Sequence, residues 1–350
     1  MRFSSFRSRL CKLWLVAHVA FVGACAPGAV HESDSAPEPV VELDLSSVHF
    51  VPTSSGVLAL AGTAEGVEVV QAYDLGVRST DAEIGPDGQL WVVAPFAADG
   101  QPAREIIALS PSSGRTLKRV ELPPQLRRPV GIVNDGDRLL LRSDRDGRSV
   151  AIGAVDPTTG RVRLLTVIDS TGGAFGSGIE LVDGMLYTFS TWCSLSDDHK
   201  IHAVDPQTGR VEGAVPVAGY YALRGARVYT TGYEGEHPVV REVDLPNLRV
   251  TRTVRTPDKP LVAASADGVY LAHWDATTIS TYSLSLEGRG EVPIQSHPVP
   301  GLDAVDDSFR ALRDGWVVLN ADAVAQYSGP GTSPSLVQIP AGERARGEDG

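Results

Sequence analysis

The chain is short of four things, and each shortage closes off a class of protein. It has three cysteines in 350 residues, Cys11, Cys25 and Cys193, too few for a disulfide-stapled scaffold. It has no long stretch of helical periodicity, while Gly 36 and Pro 24 make turns frequent, so the pattern is one of strands and turns. No apolar run reaches the roughly 20 residues that a membrane-spanning helix needs. Basic residues are outnumbered, 31 against 43 acidic ones, for a formal net charge of -12, which disfavours nucleic acid as a partner.

The amino terminus is the exception to the acidity. Met1 to Lys12 carries Arg2, Arg7, Arg9 and Lys12 and no acid, and Leu13 to Val22 is a short apolar run. A basic segment followed by a run of that length reads as a secretory signal over residues 1–24, too short to span a bilayer. The run ends in Val22-Gly23-Ala24-Cys25, an aliphatic residue, two small residues and a cysteine. This resembles the lipobox of bacterial lipoproteins. The resemblance implies that Cys25 becomes the first mature residue and bears the lipid, and that acyl chains hold the exported domain to a membrane. Ala26 in the next position favours the outer membrane over the inner. The plainer alternative is ordinary secretion, because Ala24-Cys25-Ala26 also satisfies the small-residue cleavage rule. Loss of the four basic leader residues leaves 27 basic against 43 acidic, so the mature chain is near -16. Residues 25–45 form a lipidated cysteine and a Pro-, Ser- and acid-rich tether, and residues 342–350 a charged, disordered tail.

What lies between is repetition. Ala203-Val204-Asp205-Pro206-Gln207-Thr208-Gly209-Arg210-Val211 has a near copy at Ala154 to Val162 and a looser one at Ala108 to Arg115. Each reads as a strand end, a tight turn opened by Asp-Pro or Ser-Pro, and a new strand. A second marker, a polar or Gly-containing turn followed by an apolar strand, recurs at Val57, Leu90, Leu139, Leu186, Val228, Val269 and Trp316, 33 to 49 residues apart. Further strands are expected after each marker, from Val69 to Tyr73, Ile106 to Leu109, Ile152 to Val155, Ile201 to Val204, Val239 to Val243, Ile279 to Tyr282 and Val324 to Tyr327. Four strands per unit at that period predict an all-β fold, a single seven-bladed β-propeller over residues 46–341. Eight blades, or a β-sandwich with a second β domain, are the alternatives. Val40 to Leu45 and Leu336 to Ile339 compete for the outer strand of the last blade.

These units resemble the YVTN and quinoprotein-like repeat families, in which Asp-x-x-Thr-Gly ends the third strand. Asp244-Leu245-Pro246-Asn247 and Ser283-Leu284 keep the place but lose the motif. Quinone-dependent members carry a Trp about four residues beyond the Gly. Leu164 and Gly213 stand there instead, so no quinone is expected, nor any other cofactor. Trp274-Asp275 lacks the Gly-His partner of a WD40 repeat. A third resemblance is to the propeller lipoprotein of the outer-membrane β-barrel machinery, an eight-bladed family.

Catalytic and metal motifs are thin. His199 and His202 are i and i+3, which on a strand face opposite sides, so they are read as solvated and core histidines. Asp144-Arg145-Asp146-Gly147 has two acids at calcium-loop spacing but is followed by Ser149 and Val150, and reads as a plain hairpin turn. Gly176-Ser177-Gly178 lacks the glycines of a nucleophile elbow. Cys193 follows Trp192 and reads as a buried filler. Trp91, Trp192 and Trp316 are assigned to blade packing.

In a propeller the first strand of each blade lines the channel, and the loops entering it form one mouth. The residues at those places are Asp81, Arg128, Ser177, Tyr220, Tyr221, Lys259, Phe309 and Arg310, and Tyr and Arg are enriched at protein hot spots. Metal-dependent lactonases and lyases on this fold need several ligands there, and only Asp81 and Glu180 qualify. The sequence therefore favours a lipid-anchored, outer-membrane propeller that binds a protein or other ligand, over a propeller enzyme.

Overall fold

A computed structural model describes residues 45, 48–53, 55–63, 66–145, 149–169, 178–189, 200–217, 219–257, 261–265, 268–272, 278–293, 309–311, 316–319 and 335–338. Val40 to Asp44 and the strand expected from Val324 to Tyr327 lie outside them, as do residues 1–44 generally. Among the described residues, all regular structure but one short 3-10 turn, Pro124–Leu126, is antiparallel strand.

The strands form sheets in chain order. The first sheet holds β1 (Val48–Pro52), β2 (Gly56–Thr63) and β3 (Gly66–Asp74). Then come β4 (Asp81–Ile84), β5 (Leu90–Val93), β6 (Glu105–Leu109) and β7 (Thr116–Glu121), followed by β8 (Pro129–Asn134), β9 (Leu139–Asp144), β10 (Ser149–Val155) and β11 (Val162–Asp169). The next sheet is β12 (Ile179–Val182), β13 (Met185–Phe189), β14 (Lys200–Val204) and β15 (Val211–Pro216). After it stand β16 (Tyr221–Arg224), β17 (Arg227–Glu234), β18 (His237–Asp244) and β19 (Arg249–Arg255), then β20 (Leu261–Ala264), β21 (Val269–Ala272), β22 (Thr278–Tyr282) and β23 (Gly288–Pro293). The last sheet is β24 (Phe309–Ala311), β25 (Trp316–Leu319) and β26 (Ser335–Gln338).

Each sheet is a meander of sequential neighbours, and the four-stranded ones are blades of a β-propeller. First strands of successive sheets meet: β1 lies against β4, β4 against β8, β8 against β12, β16 against β20 and β20 against β24. The core lies between the faces of neighbouring sheets. Leu140 and Ile152 pack on Ile179, Leu186 and Val204. Tyr187, Phe189 and Ile201 pack on Val228, Val243 and Leu245, and Tyr229 and Val240 on Val262, Val269 and Leu271. A middle strand is therefore covered on both faces, which is why β9 and β10 are buried along their whole length while the outer β7 is exposed at most positions.

The expectation of seven blades is corrected. Seven four-stranded blades need twenty-eight strands, and the described residues hold 26, enough for at most six complete ones. Five sheets have all four strands, and the sheets at the two ends of the chain have three. In the last sheet β26 pairs directly with β25, so Leu336 and its neighbours stand in the third position, not the outer one. No eighth sheet occurs among the described residues.

The repeated turns have one geometry. Asp156 Oδ1 accepts from the Thr158 and Thr159 amides at 2.9 and 3.1 Å, and Oδ2 accepts from the Thr159 hydroxyl at 2.6 Å. Asp205 repeats this with Gln207 and Thr208, at 2.8 and 3.3 Å to the amides and 2.7 Å to the hydroxyl. Those bonds, the Thr hydroxyl first, hold both carboxyls below the ordinary carboxylate range. Gly160 and Gly209 close the turns at φ 71 and 76°, where only glycine is free of strain. Where the motif has decayed the shape survives: Leu248 and Leu286 take the left-handed position at φ 47 and 57°. Shortly before each turn the ladder shifts register, one residue ahead at Ala108/Leu109, Ala203/Val204, Glu242/Val243 and Thr281/Tyr282 and three residues ahead at Ile152/Gly153, a bulge that sharpens the twist into the outer strand.

The second residue of these turns presents its carbonyl to the preceding sheet. Tyr73 Oη donates to Pro111 O, and Lys118 Nζ to Pro157 O. Arg138 Nη2 donates to Pro206 O at 2.9 Å, and Tyr229 Oη to Leu284 O at 2.8 Å. Burial pushes the Tyr73 phenol up to about 12, so it remains a donor at any physiological pH.

Gly209 meets the Leu165 carbonyl where a Cβ would stand, whereas Gly136, also left-handed, has open space around it. Gly136→Ala is expected to cost about 1 kcal/mol from the backbone alone, and Gly209→Ala at least about 1 kcal/mol more, as read from urea melts. Equal losses would mean that the Gly209 contact contributes nothing.

Candidate functional site

The site is built where inner strands begin. Asp81 opens β4. Its Oδ1 accepts from the Ala82 amide and its Oδ2 from the Ile132 amide on β8, both at 2.9 Å, so this carboxylate ties one blade to the next. Arg128 precedes β8 in a left-handed conformation, φ 65°, which a residue with a side chain adopts only when its surroundings hold it there. Its amide donates to Ala103 O at 3.3 Å and its carbonyl accepts from the Asp144 amide at 3.2 Å. The guanidinium lies 5.1 Å from the centre of the Phe96 ring, a cation–π contact at a partly exposed aromatic.

Beneath Arg128 sits a pair that the sequence did not announce. Arg142 and Asp144, alternate residues at the end of β9, are 1% and 3% exposed, with Nη2 to Oδ1 at 3.5 Å. Arg142 Nη1 also donates to the Gly178 carbonyl at 3.1 Å and to the Phe189 carbonyl, both on the next blade. Burial pulls the guanidinium down from its ordinary value, and Asp144 and Tyr221 oppose that. Burial pushes the Asp144 carboxyl up, and Arg142 and Arg128 oppose it. Two guanidinium groups thus flank one carboxylate. Among the described residues Arg142 Nε, Arg128 Nε, Asp144 Oδ2 and Thr188 Oγ1 have no hydrogen-bond partner.

Tyr221 begins β16 and stacks on Phe189, 4.2 Å between centroids at 8°. Its hydroxyl lies over Gly178 at the place a Cβ would fill, so that position requires glycine. Tyr220 accepts from the Thr231 amide at 3.0 Å and packs with Tyr229 and Val262. His202, the cross-strand partner of Thr188, is buried, and burial first, then Lys200 and Arg142, pull its imidazole below its ordinary value. The residues named from sequence are thus partly united: Arg128 and Tyr221 meet through the Arg142–Asp144 pair, while Asp81 is a structural tie. Phe309 and Arg310 open β24, paired with Leu319 and Val318. Ser177, Lys259, Cys25, Cys193, Trp192 and His199 lie outside the described residues.

The hairpin read at Asp144 to Gly147 is present, since β9 and β10 pair antiparallel and the Arg145 amide donates to Ser149 O at 3.1 Å; Asp144 is its last strand residue, opposite Val150 and buried, while Asp146 and Gly147 lie outside the described part. A signal was present, since Arg142 and Asp144 alternate with Leu141 and Ser143 behind an apolar run, but charges at that period normally mean a solvated face. Among the described residues no group of three His, Cys, Asp or Glu side chains converges as a metal site. The junction therefore holds two guanidinium groups and one carboxylate, with Arg128 against the Phe96 ring and Tyr221 stacked on Phe189.

The fold and site define the chain as an all-β propeller with a charged, aromatic-flanked junction between blades. No family model matches the chain, and no curated protein matches it in sequence. Among solved structures it is similar to hydrazine synthase of Kuenenia stuttgartiensis, at 12% identity over 69% of this chain and 72% of that one, TM-score 0.49. It is similar to virginiamycin B lyase from Staphylococcus aureus at 16% identity, over 71% of this chain and 85% of that one, TM-score 0.48. BamB from Moraxella catarrhalis is similar at 14% identity over 84% of this chain and 80% of that one, TM-score 0.48. At these values no activity or partner passes from them to this chain.

Two outcomes test the junction. Arg142→Met takes from the buried Asp144 its ion-pair partner and is expected to cost about 3–5 kcal/mol, while Arg142→Met with Asp144→Leu recovers most of that. A double variant as unstable as the single one would remove the electrostatic explanation. His202 has a lowered folded value, so the folded chain binds its proton less readily than the unfolded chain. Its contribution is present above the ordinary value of 6.5 and is lost as pH falls from there through the folded value. Melting temperature is expected to drop over that window less in His202→Gln than in the parent; superimposable profiles would contradict it.

Proposed function

We propose that this chain is an exported, lipid-anchored propeller, on the outer membrane, that binds a protein partner with the face where its inner strands begin. The observation that carries the reading is the junction itself. Arg128 is held in a left-handed conformation over Phe96, and Tyr221 is stacked on Phe189 beside it. Arginine and aromatic side chains fixed in place at one end of successive blades are the residue types that dominate protein interfaces, and holding them in advance lowers the entropy lost on binding. The anchoring rests on the basic leader and on Val22 to Cys25. No helix among the described residues is long and apolar enough to cross a membrane.

The binding reading is tested by affinity capture from detergent-solubilised native membranes, with intact protein beside a variant carrying Arg128→Glu, Tyr220→Ala and Arg310→Glu. A partner held by the parent and weakened at least about tenfold in the variant is expected. A partner retained equally by both would move the interface elsewhere, and capture of none would shift the weight to a small ligand. For the anchor, Cys25→Ser is expected to abolish labelling by a palmitate analogue and to release the protein from membranes. Unchanged labelling would place the lipid, if any, on another residue.

A further inference from the structure

We propose that the outer edge of the β16–β19 sheet is a second docking surface, which takes an extended acidic segment of a partner protein as an added antiparallel strand. The edge strand β19 reads Arg249-Val250-Thr251-Arg252-Thr253-Val254-Arg255 and is exposed at every position but Val254. It carries three arginines and no acid. The other outer strands are mixed or acidic: Lys118, Arg119 and Glu121 on β7, Arg163 and Asp169 on β11, Glu212 on β15, Arg289 and Glu291 on β23. On a chain of net charge -12 this strand is a local reversal of sign.

The arginines are largely uncompensated. Glu242 is engaged by Arg227 at 3.2 Å, and Arg249 reaches Asp244 only at 3.9 Å. No ion pair to Arg252 or Arg255 occurs among the described residues. Exposed Arg224 adds positive charge at the Arg249 end. Between the charges stand Val and Thr, the residues that suit a pleated surface, with Val250 39% exposed.

An anionic lipid surface would also attract these side chains, but the register argues against it. Arg252 pairs with Glu242 and, across the bulge, Arg249 with Asp244, so both lie on one face of the sheet; Arg255 pairs with Val239 and lies on the other. A membrane plane can meet one face, whereas an added strand presents alternate side chains to both. The edge also offers a row of backbone N–H and C=O groups that an extended peptide can use in full. Arginines at an edge keep like-charged strands away, and the same charges admit an acidic one.

The test uses the full chain and a fluorescein-labelled peptide of alternating Glu and Val, with its Gln–Val counterpart as control, followed by anisotropy. The acidic peptide is expected to bind at least about tenfold more tightly than the neutral one and to weaken as salt is raised. Arg249→Gln/Arg252→Gln/Arg255→Gln is expected to lose at least about tenfold in affinity. Arg163→Glu on another outer strand, and the Arg128, Tyr220 and Arg310 variant, are expected to bind as the parent does. Hydrogen exchange is expected to show the β19 amides slowed by peptide. Equal binding by the triple Gln variant, absence of peptide binding, or arginine-dependent binding to phosphatidylglycerol vesicles without peptide binding would each overturn the proposal.

Discussion

A backbone carbonyl, offered by the second residue of a turn and taken by the sheet before it, is the contact on which the arrangement of blades depends. It occurs at Pro111, Pro157, Pro206 and Leu284. Apolar packing between sheets is large but non-directional, and by itself it would let neighbouring blades slide. A polar bond at the edge of these four interfaces fixes the stagger there. The turn must then be stiff, and the Asp–Thr bonds within it and the left-handed residue that closes it make it so.

The junction of Arg128, Arg142, Asp144 and Tyr221 meets the same requirement at the opposite, inner end of the strands, by a more costly route. A buried guanidinium bridges to two carbonyls of the next blade, where an apolar pair would suffice for stability alone. The buried ion pair is what makes this interface differ from its neighbours among the described residues. The rest of the same interface is closed by Leu140, Ile152, Ile179, Leu186 and Val204.

Much of the fold was legible because turn and strand chemistry repeat. Asp-Pro-x-Thr-Gly, with an apolar strand on either side, specifies its own geometry wherever it stands, and the strand markers from Val57 to Trp316 all fall in the second strand of a sheet. The blade count was not legible. It depends on which segment pairs last, and Leu336 to Gln338 could be given the third or the fourth place by pattern alone. The site was half legible. Arg128 and Tyr221 follow from their position ahead of inner strands, but Arg142 and Asp144 look like surface residues until the next blade covers them. Burial by a non-local neighbour leaves no mark in the local sequence.

The carbonyl ties also have a direction. In every case the donor side chain comes earlier in the chain and the acceptor turn later, by 38, 39, 68 and 55 residues. At these four interfaces a polypeptide that emerges amino terminus first exposes a donor whose acceptor has not yet been made. A product cut short after the first, second, third or fifth sheet would be left with a polar hand extended and nothing to hold.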